Sequence, residues 1–160
     1  MQTFEIIALG SMKEKYYSEG LMEFKKRASA FCNLQIKELP DEKIPSNPTS
    51  GEVKKIMETE AAKILGAIPN GAYVIALDVK GKSISSEGLA EKITNLANRG
   101  FSKVVFVIGG SLGIHKSVLD RANESISMSQ MTFTHQMARM ILVEQLYRAE
   151  TIINHRPYHR

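Results

Sequence analysis

The sequence predicts an α/β domain: a mainly parallel sheet covered by helices on both faces. Three observations carry that prediction. Two short runs, Ala72–Leu77 (AYVIAL) and Val104–Ile108 (VVFVI), are almost continuously apolar. A strand without polar alternation is buried on both faces, as in the middle of a parallel sheet. Strand-like and helix-like stretches also alternate along the chain with short joints between them. Finally, 160 residues are the size of one ordinary domain, and neither a repeat nor a low-complexity tract divides them. Residues 1–160 therefore read as a single domain.

Thr3–Leu9 is short, β-branched and apolar, and Gly10-Ser11 ends it like a strand meeting a turn. Tyr17, Leu21, Phe24, Ala28 and Phe31 then step by four and three, the spacing of one helix face, with Lys25, Lys26 and Arg27 on its outer side. Leu34 and Ile36 alternate with Gln35 and Lys37, which predicts a second strand, and Pro40, Pro45 and Pro48 mark the following loop. Thr49 and Glu52 have the spacing of a capping box, and Val53, Ile56, Met57 and Ile64 give the next helix an apolar stripe. Pro69-Asn70-Gly71 turns the chain into AYVIAL. Ser85 or Ser86 can cap a helix carrying Leu89, Ile93, Leu96 and Ala97, and Gly100 can end it. After VVFVI come a glycine loop (Gly109-Gly110-Ser111-Leu112-Gly113), a short helix near 115–122, a short strand near 125–129 and a long helix near 135–153.

Composition excludes several classes of protein. With 43% hydrophobic and 24% charged residues the chain reads as globular, not disordered or fibrous. It contains no run approaching the ~18 apolar residues that a membrane helix needs. Cys32 is the only cysteine, so an internal disulfide and a multi-cysteine metal site are both excluded. The first residues lack a basic stretch and include Glu5, which argues against a signal peptide, and a cytoplasmic location is expected. The net charge of +4 is unevenly spread. Residues 1–80 hold 11 basic and 11 acidic residues, whereas residues 81–160 hold 10 against 6, together with all four histidines. A basic, histidine-bearing half suits an anionic partner.

Ligands of open α/β sheets collect at the carboxyl ends of strands, which points to the glycine loop after Ile108. It matches neither a P-loop nor a dinucleotide fingerprint, because the register of Gly and Lys residues is wrong for both. What remains is a loop where backbone can approach a ligand closely. The last helix is apolar nearly all round, through Met137, Met140, Ile141, Leu142, Val143, Leu146 and Tyr147. A sheet covers only one side of a helix, so a second subunit is the simplest cover for the rest. Its polar residues form two pairs at helical spacing, His135 with Arg139 and Glu144 with Arg148, pointing about half a turn apart. One pair could face the chain's own ligand loop and the other a neighbour. The tail His155-Arg156-Pro157-Tyr158-His159-Arg160 combines cations, imidazoles and a phenol, a composition suited to RNA, although a frayed terminus is the usual fate of such residues. No cysteine partners these histidines, and no metal is expected.

Together these segments resemble the RlmH family of small SPOUT-superfamily ribosomal RNA methyltransferases. The resemblance rests on ALGSMKEKYY (8–17), VIALDVKGKSISSEGLA (74–90), FVIGGSLGIHKSVL (106–119), SMSQMTFTHQMAR (127–139), VEQLYRAE (143–150) and the terminal PYHR. It implies a SPOUT-type fold with a C-terminal trefoil knot, a homodimer, and methyl transfer from S-adenosyl-L-methionine to N3 of a pseudouridine in 23S rRNA of the assembled ribosome. The implied target lies in the stem-loop that contacts the decoding region. By motif, Leu77, Gly109 and the segment Met128, Ser129, Gln130, Met131, Thr132 and Phe133 would line the cofactor pocket. Glu144, Arg148, Tyr158, His159 and Arg160 would form the catalytic side, with the tail of one subunit completing a site around cofactor held by the other. In that scheme Glu144 or His159 accepts the N3 proton, Arg148 orients and stabilises charge, and Tyr158 and Arg160 contact substrate. Relatives often carry proline at the position of Thr134 and a polar residue at that of Leu112. Two rival readings are a nucleotide- or RNA-binding module without catalysis, which would not need Glu144 beside Arg148 and a Tyr-His tail, and a SPOUT enzyme acting on tRNA.

Overall fold

The computed structural model describes residues 1–160 and places ten elements in strict alternation of strand and helix: β1 (Thr3–Leu9), α1 (Lys15–Ala28), β2 (Asn33–Leu39), α2 (Ser50–Ala67), β3 (Tyr73–Ser83), α3 (Ser86–Asn98), β4 (Lys103–Ile108), α4 (Lys116–Arg121), β5 (Glu124–Ser127) and α5 (His135–Ile153). The five strands form one sheet in the order β2-β1-β4-β3-β5, and every pairing is parallel. The two apolar runs of the sequence lie side by side, Ile75 opposite Phe106 and Leu77 opposite Ile108. Their side chains point alternately into two cores. Phe4, Ile6, Ile75, Val104 and Phe106 pack with Leu21 of α1, Ile93 and Leu96 of α3, and Leu142 and Leu146 of α5. On the other face Ile7, Val74, Val105 and Val107 meet Ala61 and Ile64 of α2 and Val118 of α4.

Helix starts follow local chemistry. Thr49 accepts from the Glu52 N–H while the Glu52 carboxylate accepts from the Thr49 N–H, the reciprocal arrangement its spacing predicts. Between the two candidate caps of α3, Ser85 is the one used, accepting from Gly88 N–H at 2.9 Å. Thr134 caps α5 through Met137 N–H.

Three differences from the sequence reading have physical causes. Strand β3 runs on past Leu77 to Ser83 after a register irregularity, so that Lys82 and Ser83 pair with β5. The polar composition of that extension hides it. Gly81 permits it, because a Cβ there would sit 2.8 Å from the β5 backbone at Ser125 and Ile126. Helix α5 lies between α1 and α3, so neighbours within the chain cover both its flanks, and only Met137, Met140, Ile141 and Tyr147 of its apolar set stay half-buried. Lastly, Arg139 does not join His135 at the ligand loop. Its side chain is wholly buried, donates to the carbonyls of Leu9 and Gly10 at 3.3 and 3.1 Å, and pairs with Glu38 at 2.7 Å. It closes the orphaned end of β1, a role the helical spacing does not reveal.

At the far end of α5, Glu150 is buried against the core beside Cys32. Burial pushes the Glu150 carboxyl up to about 7, opposed only by the Asn154 side chain. Burial, reinforced by Glu150, pushes the Cys32 thiol up to about 12.

Candidate active site

A cleft of about 440 Å³ opens at the carboxyl end of β4 and beside the middle of β3, where the ladder between the two strands ends at Leu77 and Ile108. Leu77 and Ile108 form its floor, the glycine loop one wall, and the segment from Met128 to Ala138 the other. Glycine is required in the first wall. A Cβ on Gly109 would lie 2.6 Å from Ile114 Cγ1 and 3.0 Å from the Gly113 carbonyl. Gly113 has φ +91° and donates its N–H to the Gly110 carbonyl at 3.0 Å, which closes the turn. The second wall is folded by small hydroxyl bonds. Ser127 Oγ donates to the Ser129 carbonyl at 2.9 Å, and Ser129 Oγ accepts from Met131 N–H at 3.0 Å.

Of the expected cofactor residues, Leu77, Gly109, Met128, Ser129, Met131, Thr132 and Phe133 all line this cleft. Gln130 does not, and its side chain is exposed. Residues beyond the expected set also contribute, notably Asp78, Ser111, Ile114 and His135. The glycine loop and the first turn of α5 signal most of them, whereas Asp78 lies in the polar extension of β3. The His135 ring buries its Nδ1 without a hydrogen-bond partner. Burial first, and the nearby Arg139 charge second, hold its pKa below the usual imidazole value.

The electrostatics of the wall discriminate between ligands. No lysine or arginine lines the cleft, and Asp78 is its one carboxylate. A phosphate would find no cation here, whereas a cationic ligand meets backbone carbonyls, apolar side chains and a single anion. The dimensions suit a nucleoside-sized molecule. The residues present therefore fit S-adenosyl-L-methionine, whose sulfonium is positive.

The tail is not frayed. His155 adopts a positive φ of 54°, and the chain turns back onto α5. There Tyr158 and His159 meet Glu144 and Arg148. Glu144 Oε1 accepts from Arg148 Nε and Nη2 at 2.9 and 2.6 Å and from the Tyr158 hydroxyl at 3.2 Å. Glu144 Oε2 accepts from Gln145 at 3.0 Å. The guanidinium lies over the Tyr158 ring, 4.7 Å from its centroid, and reaches His159 Nδ1 at 3.2 Å. The other imidazole nitrogen, Nε2, is 2.6 Å from Glu87 Oε1 on α3. Hydrogen bonding to Glu144 holds the Arg148 pKa above its usual value, and burial followed by the Glu144 charge raises that of Tyr158. Arg160 is exposed and outside this network. Four of the five expected catalytic residues thus converge, although none of them lines the cleft of the same chain.

No group of three or more His, Cys, Asp or Glu side chains is placed to hold a metal ion. No helix is long and apolar enough to cross a membrane.

Alternating parallel topology, a ligand-sized cleft beside the glycine loop and a polar cluster closed by the carboxyl-terminal residues define an α/β domain with two candidate functional regions. A family model described as "Predicted SPOUT methyltransferase" matches residues 2–159. A protein of Clostridioides difficile named ribosomal RNA large subunit methyltransferase H is 52% identical over 155 residues, covering 97% of this chain and 98% of its own length. Proteins of the same name from Halothermothrix orenii and Listeria monocytogenes are 47% and 48% identical, each covering 98% of its own length and 97% and 98% of this chain. The chain belongs to the SPOUT methyltransferases and, within them, to the family of ribosomal RNA large subunit methyltransferase H. Two solved structures share the fold at low identity. A probable methylase family protein from Haemophilus influenzae Rd KW20 is 12% identical with a TM-score of 0.57, over 98% of this chain and 70% of that one. The A. aeolicus TrmH/SpoU tRNA modifying enzyme is 14% identical with a TM-score of 0.51, over 100% of this chain and 82% of that one.

Proposed function

We propose that this protein methylates N3 of a pseudouridine in 23S rRNA of the assembled ribosome, using S-adenosyl-L-methionine. The relatives' shared name supports large-subunit rRNA as the substrate. The observation that carries the cofactor is the cation-free, glycine-walled cleft. Leu77, Gly109, Met128, Ser129, Met131, Thr132 and Phe133 would hold it, with the exposed Gln130 at the rim. When bound, the cofactor supplies an electrophilic methyl group on a sulfonium.

The chain's own part is to bind, orient and deprotonate the nucleobase. N3–H of a pseudouridine is a weak acid and must lose its proton as the new bond forms, which calls for a positioned base and a cation beside the developing negative charge. His159 is assigned as the proton acceptor. What supports it over Glu144 is that Glu144 already accepts four hydrogen bonds, three of them charge-assisted or phenolic at one oxygen. Arg148 orients the imidazole and stabilises charge on the base, while Tyr158 and the free Arg160 contact the RNA. Holding the base in line contributes alongside the proton transfer.

The working unit is a homodimer in which the tail of one protomer faces the cleft of the other. What supports this is the separation of the two residue sets within one chain, together with the half-buried apolar residues of α5. The proposal includes a trefoil knot. What supports it is the match to the SPOUT methyltransferase family, with β5 at the sheet edge beyond β3 and the next helix packed against α1 and α3. The single domain spans 1–160, acts in the cytoplasm, and needs no metal.

The test is methyl transfer from labelled cofactor to intact ribosomes, separated subunits, naked 23S rRNA and tRNA. Incorporation into the intact ribosome at one pseudouridine N3 is expected. Preferential labelling of tRNA, or binding of RNA with no transfer, would overturn the proposal in favour of the corresponding rival.

A further inference from the structure

We propose that Glu87, on the first turn of α3, is a positioning residue that fixes the tautomer and charge balance of His159; this rests on the catalytic reading of His159 above. A guanidinium can only donate, so His159 Nδ1, 3.2 Å from Arg148 Nη1, must present a lone pair. A carboxylate can only accept, so Nε2, 2.6 Å from Glu87 Oε1, must carry the hydrogen. The two partners approach opposite nitrogens and leave the neutral ring one tautomer. That tautomer keeps the lone pair of Nδ1 on the Arg148 side, where a base is needed.

Glu87 is itself well placed. It stands 72 residues from His159 in sequence and near the amino end of α3, where the helix favours a negative charge. Pairing with His159 holds its carboxyl below the usual carboxylate range. When Nδ1 takes the substrate proton, the N3–H bond breaks, its electron pair stays on N3, and the ring becomes an imidazolium. Arg148 can then no longer donate to Nδ1, and its guanidinium turns to the negative charge on the base. Glu87 remains as the counter-charge of the imidazolium. Glu144 keeps Arg148 within reach throughout.

The experiment reads the ring directly, by long-range proton–nitrogen spectra of the histidine-labelled protein without cofactor or RNA. In the unsubstituted protein, His159 is expected as a single tautomer protonated at Nε2. Glu87→Ala is expected to move both ring nitrogens toward the average of two exchanging tautomers. Glu87→Gln still offers a carbonyl acceptor, so the tautomer is expected to persist while kcat for ribosome methylation falls about tenfold, KM changing less than twofold. A residue that merely held the tail in place would give a Gln variant of full activity, and that result overturns the inference. Unchanged ring nitrogens in Glu87→Ala overturn it equally. His159→Ala separately decides the catalytic reading, because the tautomer is measured with no reaction under way.

Discussion

Arg139 and Arg148 project from the same helix nine residues apart, and both pair with a glutamate within 2.7 Å. Arg139 is 0% exposed and spends its donors on the chain's own backbone at the end of β1. The Arg148 side chain is 26% exposed, gives two donors to Glu144 on its own helix and extends the third to His159 in the tail. A buried guanidinium bound to backbone carbonyls stabilises a shape, and burial lowers its pKa despite Glu38. A half-exposed one bound to side chains keeps a charge available to a ligand. The difference teaches that α5 is a structural spine at its amino end and, under the proposed function, a carrier of chemistry around Arg148.

The sharpest way to break this contrast is to remove each guanidinium. Arg139→Ala leaves the carbonyls of Leu9 and Gly10 without donors and opens a cavity, and it is expected to cost about 4 kcal/mol by denaturant unfolding. Arg148→Ala should unfold within about 1 kcal/mol of the unsubstituted protein yet lose ~100-fold in methyl transfer at saturating ribosomes. Equal stability losses in both variants would erase the distinction.

Glu150 sharpens the contrast further, because it is a carboxylate of the chemical end that serves structure. Burial holds its folded pKa at about 7, above the ordinary carboxyl value of 4.5. The native state is therefore favoured fully below pH 4.5, and that contribution is lost as pH rises through about 7. Glu150→Gln should raise stability by about 3 kcal/mol at pH 8 and leave it unchanged near pH 4, as followed by thermal unfolding. The smallest effect belongs to the cap of the same helix. Thr134→Ala removes the bond to Met137 N–H and should lower stability by about 1 kcal/mol, with a smaller change in calorimetric affinity for S-adenosyl-L-methionine.

What the sequence made legible follows the range of each interaction. AYVIAL, VVFVI and the Thr49/Glu52 box are local signals, and each lies in the fold where its pattern placed it. The Glu144–Arg148 pair is likewise one helical turn. Arg139 was misleading for the opposite reason. Its spacing from His135 is local, but its partners lie about 130 residues away, and no periodicity reports them. The β3 extension was hidden because its ladder depends on Gly81 meeting β5 and not on an apolar run. The tail turns back at one positive-φ residue, His155, a conformation that no local sequence pattern announces. No local pattern signals Glu87, because its partner in the tail lies 72 residues away.

Subunit mixing decides whether the cleft of one protomer works with the tail cluster of its partner. Gly109→Val places a side chain where even a Cβ would meet Ile114 and Gly113, so this variant is expected to bind no cofactor. Arg148→Ala retains the cleft and lacks the tail chemistry. Each alone should be nearly inactive. Unfolded and refolded together in equal amounts, they should recover roughly a quarter of the unsubstituted activity, because half the dimers are mixed and each mixed dimer has one intact site. A mixture no more active than its parts, with mixed dimers demonstrated by mass, would show that the two protomers do not share a site.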